Sequence, residues 1–465
     1  MYNMLLKKIL PHPEIIFLIV SISFGILFSL IQPLFIEPDA VYHFDNAMYI
    51  SDTVVDRSEV GVTSEDYGSK PIPFTLISEM YKNDLYYKNL FFKKLPLIPK
   101  YKADKRVSGN YGTKNDKTYF SDIMHVVPAI GVKLGYFIYP SIGSMILTAR
   151  ILSVIFFSLC IFFIIKASKV YKYMFLMISL TPTVMQIVTS LSYDTYNYLA
   201  CSLMIMVCIN MGIDIKKKEK ISIIDFFIRI LIPSIILYYS KMNSKLLYLI
   251  PFVILLYLIK QKVKINFNKG TIILISLFAM FVFGGIVLTL YFEQTVFITK
   301  KIVFTLLEPY YTVLSTELIS GTTTAGIPNW FYGIQFATLI LLFLSYNKVD
   351  LPWWFTACAL IVFVLNFFAI MISYAVDNNF SDYANRIITG PQGRYFTPFI
   401  ILLAPIFSRI AKKISVSFNK WLILLVLVVI VVSLILNLSI TSLKFYVLQI
   451  PADEWRSGIH HYIFK

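Results

Sequence analysis

Residues 15–35 read IIFLIVSISFGILFSLIQPLF, an apolar run with no charged side chain. About 20 apolar residues in a helix cross a hydrocarbon core about 30 Å thick, so this run predicts a membrane span. The rest of the chain has the same character: 57% of its 465 residues are hydrophobic, 15% are charged, and the mean hydropathy is +0.71. A soluble protein cannot bury that much apolar surface. The sequence therefore predicts an all-α polytopic membrane protein.

Further apolar runs follow the first, and short polar links separate most of them. Together they predict about eleven spans, which form one transmembrane domain over residues 1–465. The predicted spans cover residues 13–36, 144–165, 171–190, 196–213, 221–240, 245–259, 271–292, 329–346, 352–374, 395–410 and 421–442. No internal repeat divides the chain, which argues against a transporter built from inverted repeats.

Lysine and arginine collect at alternate ends of successive spans. The basic clusters lie at residues 7–8, 166–172, 216–220, 260–269 and 409–420. Short cytoplasmic loops hold the excess of positive charge, so we expect the N-terminus inside and, with an odd number of spans, the C-terminus outside. The net charge of +16 is then a topological signal plus attraction to lipid headgroups, and no nucleic-acid partner is expected.

Neither a cleaved leader nor a disulfide framework is predicted. The first run is too long for a signal peptide, and Gln32-Pro33-Leu34-Phe35 lacks the small residues of a cleavage site, so we interpret it as a retained anchor. Cys160, Cys201, Cys208 and Cys358 all fall inside predicted spans, which excludes disulfides between the outer loops.

The first outer segment, from Glu37 to about Gly143, is the longest polar stretch of the chain. Loops of this length usually carry function. Residues 40–51 predict a short helix along the membrane surface, with Val41, Phe44, Met48 and Tyr49 on its apolar side. Residues 56–122 predict a small extracytoplasmic cap, and residues 119–139, which include His125 and Pro128, predict a second interfacial helix.

Asp39 follows the first span directly, at the depth of the lipid headgroups. Three other polar stretches fall on the same predicted face: Ser190 to Asn197, Lys241 to Lys245, and Gly390 to Phe396. Spans that end on one face bring their links close together. We therefore expect these stretches, with Asp39 and His43, to line one outward-facing cavity.

These blocks form an ordered set. In chain order they are Pro38-Asp39 with His43, Pro128, Arg150, Ser190-Leu191-Ser192-Tyr193-Asp194, the Lys241 cluster, and Gln392-Gly393-Arg394-Tyr395-Phe396. The set resembles the bacterial membrane family catalogued as domain of unknown function 2142, which in turn resembles the GT-C glycosyltransferases. The family commonly has Asp-Glu at the first block, whereas here Ala40 follows Asp39, so Glu37 would have to supply a second acid.

The resemblance implies a transferase in the bacterial cytoplasmic membrane. It would take a sugar from a polyprenyl-phosphate carrier and attach it, with inversion, to a cell-surface glycan or wall polymer outside. Asp39 would be the base that accepts the proton of the acceptor hydroxyl, although an acid at this position also suits a helix cap. Arg394 would grip two phosphate oxygens, or else it snorkels to lipid phosphates.

The other candidates also leave two interpretations each. His43 orients Asp39 or contacts substrate, or makes a plain polar contact. Arg150 suits a structural pair, with Asp194 as the expected partner, better than a phosphate contact. Sugar binding competes with helix capping for Tyr193, Asp194 and Asn197, and phosphate binding competes with snorkelling for Lys241 and Lys245. The predicted substrate-binding set is Glu37, His43, His125, Arg150, Tyr193, Asp194, Asn197, Lys241, Lys245, Gln392, Arg394 and Tyr395.

No cofactor is predicted to be required. Glu37 and Asp39 form an acid-x-acid pair whose oxygens suit magnesium or manganese, but a phosphate leaving group can be stabilised by arginine and lysine alone. Nucleotide-binding motifs are lacking, which argues against a nucleotide sugar as the direct donor. Two other functions stay open: a transporter or flippase for a lipid-linked sugar, and a non-catalytic scaffold of a polysaccharide assembly complex.

Overall fold

The computed structural model describes residues 11–37, 39–56, 84–99, 119–263, 292–307, 317–321, 326–346, 349–376, 388, 390–414 and 416–448. These residues are helical apart from their links, and they contain no strand beyond one isolated bridge between Val55 and Leu97. The α-helices are α1 Pro13–Ile31, α2 Ala40–Ser51, α3 Asp84–Phe92, α4 Tyr119–Ile138, α5 Ile142–Ala167, α6 Lys172–Ser179, α7 Pro182–Val188, α8 Asp194–Lys216, α9 Ile223–Tyr238, α10 Leu249–Val263, α11 Phe292–Leu307, α12 Asn329–Ser345, α13 Trp353–Val376, α14 Ala404–Ile410 and α15 Lys420–Ser442.

Six helical segments of the described chain are long and apolar enough to cross a membrane. They are α1, α5, α8, the 3₁₀ helix Met242–Tyr248 continued by α10, α13, and α15 with the π-helical turn Leu443–Val447. Helix α12 is apolar but has only 17 residues, and residues 271–291 of the predicted span 271–292 lie outside the described residues. The protein is therefore membrane-integral, while the count of eleven spans and their orientation stay predictions.

Two predicted spans are wrong as continuous helices. Residues 171–190 form α6 and α7, which break at Thr181-Pro182 because a proline lacks the amide proton and clashes with the preceding turn. Residues 395–410 begin with 3₁₀ turns, Gly393–Tyr395 and Thr397–Leu403, and become α-helical only in α14. Pro398 and Pro405 remove two amide donors from this segment.

Ion pairs gather several helix ends at one end of the bundle, which we call the basic end. Asp214 at the end of α8 pairs with Lys169 after α5 and, at 2.8 Å, with Arg229 of α9. Asp350 pairs at 2.9 Å with both Lys216 and Lys412. The lysine clusters 166–172, 216–220 and 409–413 therefore share one end of the bundle.

The opposite end, where α1 ends and α8 begins, is called the site end. There a second apolar core forms a cap from α2, α3, α4 and the first turns of α5. Helix α2 has the predicted bounds, and its Val41, Phe44 and Met48 are buried in this core, whereas Tyr49 is exposed. The cap is packed against α5 and thus holds α2 in a fixed position over the site end.

Glycines let α4 and α5 approach closely. A Cβ added at Gly131 would lie 2.4 Å from the Cα of Ala149, and one at Gly135 would lie 2.5 Å from the carbonyl oxygen of Ser144. Helices with small residues at their contact pack backbone to backbone. This close contact fixes the position of His125, which α4 carries toward the site.

Candidate functional site

Three links meet at the site end around Asp194, the first residue of α8. Its carboxylate pairs with the ammonium of Lys241, which precedes the 3₁₀ helix 242–248, and lies 3.5 Å from Nε of Arg394 in the 3₁₀ turn before α14. The side chains of Asp194, Lys241 and Arg394 are only 10%, 19% and 9% exposed. The carboxylate of Asp194 therefore serves the two cations and does not cap its helix.

Lys241 is enclosed by two aromatic rings. Its Nζ lies 4.6 Å from the ring centroid of Tyr193 and 4.6 Å from that of Tyr395. A cation over an aromatic face is attracted by the ring quadrupole, and an ammonium has three protons to direct. The carboxylate of Asp194 and the two ring faces surround the ammonium group. Lys241 therefore holds Tyr193 and Tyr395 in place and does not snorkel to lipid.

Asp39 stands at the same site. It occupies the position before α2 with a left-handed backbone (φ 57°), which aspartate tolerates better than most residues. Its side chain makes no capping hydrogen bond to α2, so the capping alternative is wrong. Burial raises the pKa of Asp39, and the charge of Arg394 opposes that shift. Asp194 and Lys241 also act on its carboxylate. Asp39, Asp194, Lys241 and Arg394 are called the charged cluster below.

Two buried histidines join the cap to the charged cluster. Nδ1 of His43 on α2 lies 2.9 Å from Nε2 of His125 on α4, and both rings contact the ring of Tyr193, with centroids 5.0 and 5.8 Å away. Burial, followed by the neighbouring His125, holds the pKa of His43 well below its usual range. An imidazole pair of this kind needs one donor and one acceptor nitrogen, and the neutral state of His43 meets that need.

Arg150 lies beside the cluster, in a separate pair. Its guanidinium donates to the carbonyl oxygens of Gln32 (2.6 Å) and Pro33 (3.0 Å) and to Oε2 of Glu37 (3.1 Å). The expected partner Asp194 is therefore wrong. Arginine satisfies carbonyl groups at the C-terminal end of α1, where a positive charge is favourable, and the nearby Glu37 completes the pair. Glu37 is thus used by Arg150, and the joint role of Glu37 and Asp39 as an acid-x-acid pair stays a prediction.

Asn197 and Lys245 differ in their relation to the charged cluster. Asn197 accepts a hydrogen bond from Ser244 Oγ at 2.7 Å and so ties α8 to the link that carries Lys241. Lys245 instead contacts Met242 and the ring of Tyr238, neither of which belongs to the charged cluster.

Beside Arg394, Gln392 and Tyr395 have different surroundings. Gln392 Oε1 is buried and has no hydrogen-bond partner among the described residues. Tyr395 accepts a hydrogen bond from Tyr374 of α13 at 3.2 Å.

Two residues at this site were not predicted from the sequence. Tyr374 orients Tyr395, and Glu317, which is 1% exposed, contributes a charge that acts on Arg394. Glu317 had one weak signal, since it is an acid followed by apolar Leu318 and Ile319. Across the described residues, no group of three or more His, Cys, Asp and Glu side chains is placed to hold a metal ion.

The family model described as "Predicted membrane protein (DUF2142)" matches residues 22–403 of the chain. The match covers most of the chain, including all of the charged cluster, and the protein therefore belongs to this family of predicted membrane proteins. No curated protein and no solved structure significantly matches the chain.

Proposed function

We propose that the protein is a GT-C-like glycosyltransferase that moves a monosaccharide from a polyprenyl-phosphate carrier to a glycan or wall-polymer acceptor. The reaction would occur at the site end of the bundle, on the outer face of a bacterial cytoplasmic membrane. One observation carries the proposal: links that are far apart in the chain bring a base candidate, Asp39, and a phosphate-binding candidate, Arg394, into one charged cluster.

The proposed reaction is a single displacement. The acceptor oxygen forms a bond to the anomeric carbon while the bond from that carbon to the phosphate oxygen breaks, and the electron pair of the broken bond leaves with the phosphate. Asp39 takes the proton of the acceptor hydroxyl, a role worth about 10²- to 10⁴-fold in rate. The raised pKa of Asp39, caused by burial and opposed by Arg394, makes it a better base than an exposed aspartate.

Arg394 is the group best suited to the leaving phosphate. A phosphodiester donor carries one negative charge, and the released phosphate monoester carries about 1.5 to 2 at pH 7. A fixed guanidinium therefore binds the transition state more tightly than the donor. Lys241 has the weaker claim, because Asp194 and two tyrosine rings surround its ammonium.

The charge balance of the site favours the donor that adds the least negative charge. Lys241 and Arg394 supply two positive charges, whereas Asp39, Asp194 and Glu317 supply three acidic groups in the same neighbourhood. A diphosphate donor would add more negative charge than a monophosphate donor, and this set has no further cation to compensate it. A polyprenyl monophosphate sugar therefore fits the site better.

An Asp39→Asn variant tests the proposal. We expect a strain that carries this variant to lose the surface sugar that the wild-type protein adds, because the amide cannot accept the proton. Asp52→Asn is the matched control, since Asp52 also has a left-handed backbone (φ 55°) but lies at the exposed far end of α2. The measurement is mass and linkage analysis of surface glycans in a deletion strain complemented at equal protein level. A parental glycan profile with Asp39→Asn contradicts the proposal.

A lipid-linked sugar transporter is the second candidate. It is supported by the break at Thr181-Pro182 and by the non-helical segment 317–321 buried beside it, because interrupted helices commonly line transport sites. The discriminating assay follows a fluorescent polyprenyl-phosphate sugar in proteoliposomes. Movement across the bilayer that persists in Asp39→Asn favours the transporter, and so does the absence of any new glycosidic bond.

A further inference from the structure

Residues 317–321 form a short non-helical segment inside the helical bundle. Glu317, Ile319 and Ser320 are each 1% exposed, and Ile319 belongs to the main apolar core. Backbone polar groups in such a setting need hydrogen-bond partners. Thr183, at the start of α7, provides two: its Oγ1 donates to the carbonyl oxygen of Glu317 and accepts from the amide of Gly321, both at 2.9 Å. The helix break at Thr181-Pro182 thus anchors this segment.

The same segment is bound to the turn that carries Arg394. Oγ1 of Thr397, three residues after Arg394, donates to the carbonyl oxygen of Leu318 at 2.7 Å. Nε2 of Gln335 on α12 donates to the carbonyl oxygen of Ile319 at 3.3 Å. Three side chains from three elements therefore fix the backbone around Glu317, and one of them moves together with the Arg394 turn.

We infer that Glu317 is a positioning residue for Arg394: its buried carboxylate, on a segment bound to the Arg394 turn, orients the guanidinium through its charge, while Asp194 pairs with Nε of Arg394 from α8. For the role of Arg394 in phosphate stabilisation, the inference rests on the proposed function. The supporting geometry is the buried position of Glu317, its anchored backbone and the Thr397 link between the two segments. The charge of Glu317 is also among those that act on Arg394.

Two carboxylates beside one guanidinium have opposite effects on binding and on turnover. They compete with a phosphate for the positive charge, so they weaken ground-state binding. They also hold the guanidinium at the place where charge develops, which spares reorganisation during the reaction. We therefore expect that removing the charge of Glu317, while keeping the shape of the side chain, strengthens phosphate binding to Arg394. The same change should leave the guanidinium less well oriented for the reaction.

The test compares Glu317→Gln with wild type in detergent micelles or nanodiscs. We expect a short-chain polyprenyl phosphate without sugar to bind unchanged or up to about tenfold tighter, and kcat for sugar transfer to fall at least about tenfold. Glu317→Asp, which keeps the charge, should retain more turnover than Glu317→Gln. Gln335→Leu is the control, because it loosens the same segment without removing a charge. If Glu317→Gln binds the probe more weakly and loses stability in the same proportion as Gln335→Leu, Glu317 is only structural.

A second measurement needs no substrate and separates this inference from the proposed function. Equilibrium unfolding of Glu317→Gln, Arg394→Met and the double variant gives the coupling between the two side chains. Favourable coupling supports the positioning role even in a protein that transfers no sugar. The inference is overturned if the effects of the single variants on stability are additive, or if Glu317→Gln keeps the wild-type kcat. Neither result decides whether the wild-type protein transfers sugar, which is measured separately.

Discussion

Replacing Asp194 with asparagine should destabilise the protein strongly. The change keeps the size of the side chain and removes the negative charge that pairs with Lys241 and Arg394. Breaking a buried ion pair by removing one partner costs about 3–5 kcal/mol, because the other charge is left uncompensated. The three side chains are 9–19% exposed, and Glu317 and the tyrosine rings still compensate the cations. We therefore expect a loss of about 2–4 kcal/mol in the free energy of unfolding.

Asp350 offers a matched control at the basic end. Its carboxylate also bridges two cations, Lys216 and Lys412, both at 2.9 Å, but its side chain is 39% exposed. Water and ions screen such a pair, so Asp350→Asn should cost no more than about 1 kcal/mol. The comparison tests burial, since each carboxylate pairs with two cations, a lysine and an arginine at Asp194 and two lysines at Asp350.

The assay is equilibrium unfolding in mixed micelles by titration with a denaturing detergent. A double variant, Asp194→Asn with Lys241→Met, should recover part of the loss, because it removes an uncompensated ammonium as well as the carboxylate. If Asp194→Asn costs no more than Asp350→Asn, or if the double variant is as unstable as the sum of the single changes, the charged cluster is not the fixed unit described above.

Three more outcomes are expected. The rate of sugar transfer should rise with pH through a midpoint above the value of about 3.9 of a free aspartate, because burial, opposed by Arg394, raises the pKa of Asp39 and only the ionised form accepts a proton; a midpoint at or below 3.9 contradicts this. Gly135→Leu should cost about 1–3 kcal/mol of stability by forcing α4 away from α5, whereas Gly333→Ala, with open space around its Cβ, should be neutral or stabilising in the same unfolding assay. Burial and the neighbouring His125 keep the folded-state pKa of His43 below about 6.5, so the unfolded state binds the extra proton, and stability should fall as pH drops below about 6.5; His43→Asn should flatten this pH dependence of the unfolding midpoint.

Hydropathy predicts the long spans well because a lipid-facing helix needs little beyond apolar length. The last span was predicted at 421–442, and α15 covers Lys420–Ser442. Proline is a poorer guide to breaks, because it interrupts the chain at Thr181-Pro182 but lies inside α4 at Pro128 and inside α9 at Pro233. The break at Thr181-Pro182 differs from the other two prolines by a tertiary contact. Thr183, beside the break, binds the segment 317–321, which is distant in sequence.

The members of the charged cluster were predictable because links on one face of a bundle end near one another. Their pairing was not. Which side chains meet depends on how each helix is rotated about its axis, and the short distance from Arg150 to Glu37 and to the end of α1 is a product of the contact between α1 and α5. Glu317 was missed for the same reason, since its segment reaches Arg394 only after α7, α12 and the Arg394 turn have packed around it.

A transferase and a transporter place their charged groups differently. A transporter that carries a charged headgroup needs groups of opposite charge along its path, and these groups must also release the headgroup. A transferase needs a fixed set of groups at one depth. In the described residues the ion pairs lie at the two ends of the bundle, while contacts within its interior, such as Ser21 with Ser158 and Gln186 with Asn437, are between neutral groups. At the site end, the rings of Tyr193 and Tyr395 enclose the ammonium of Lys241. Lys241 therefore has little freedom to move with a transported headgroup. This distribution favours bond formation at the site end over passage through the bundle.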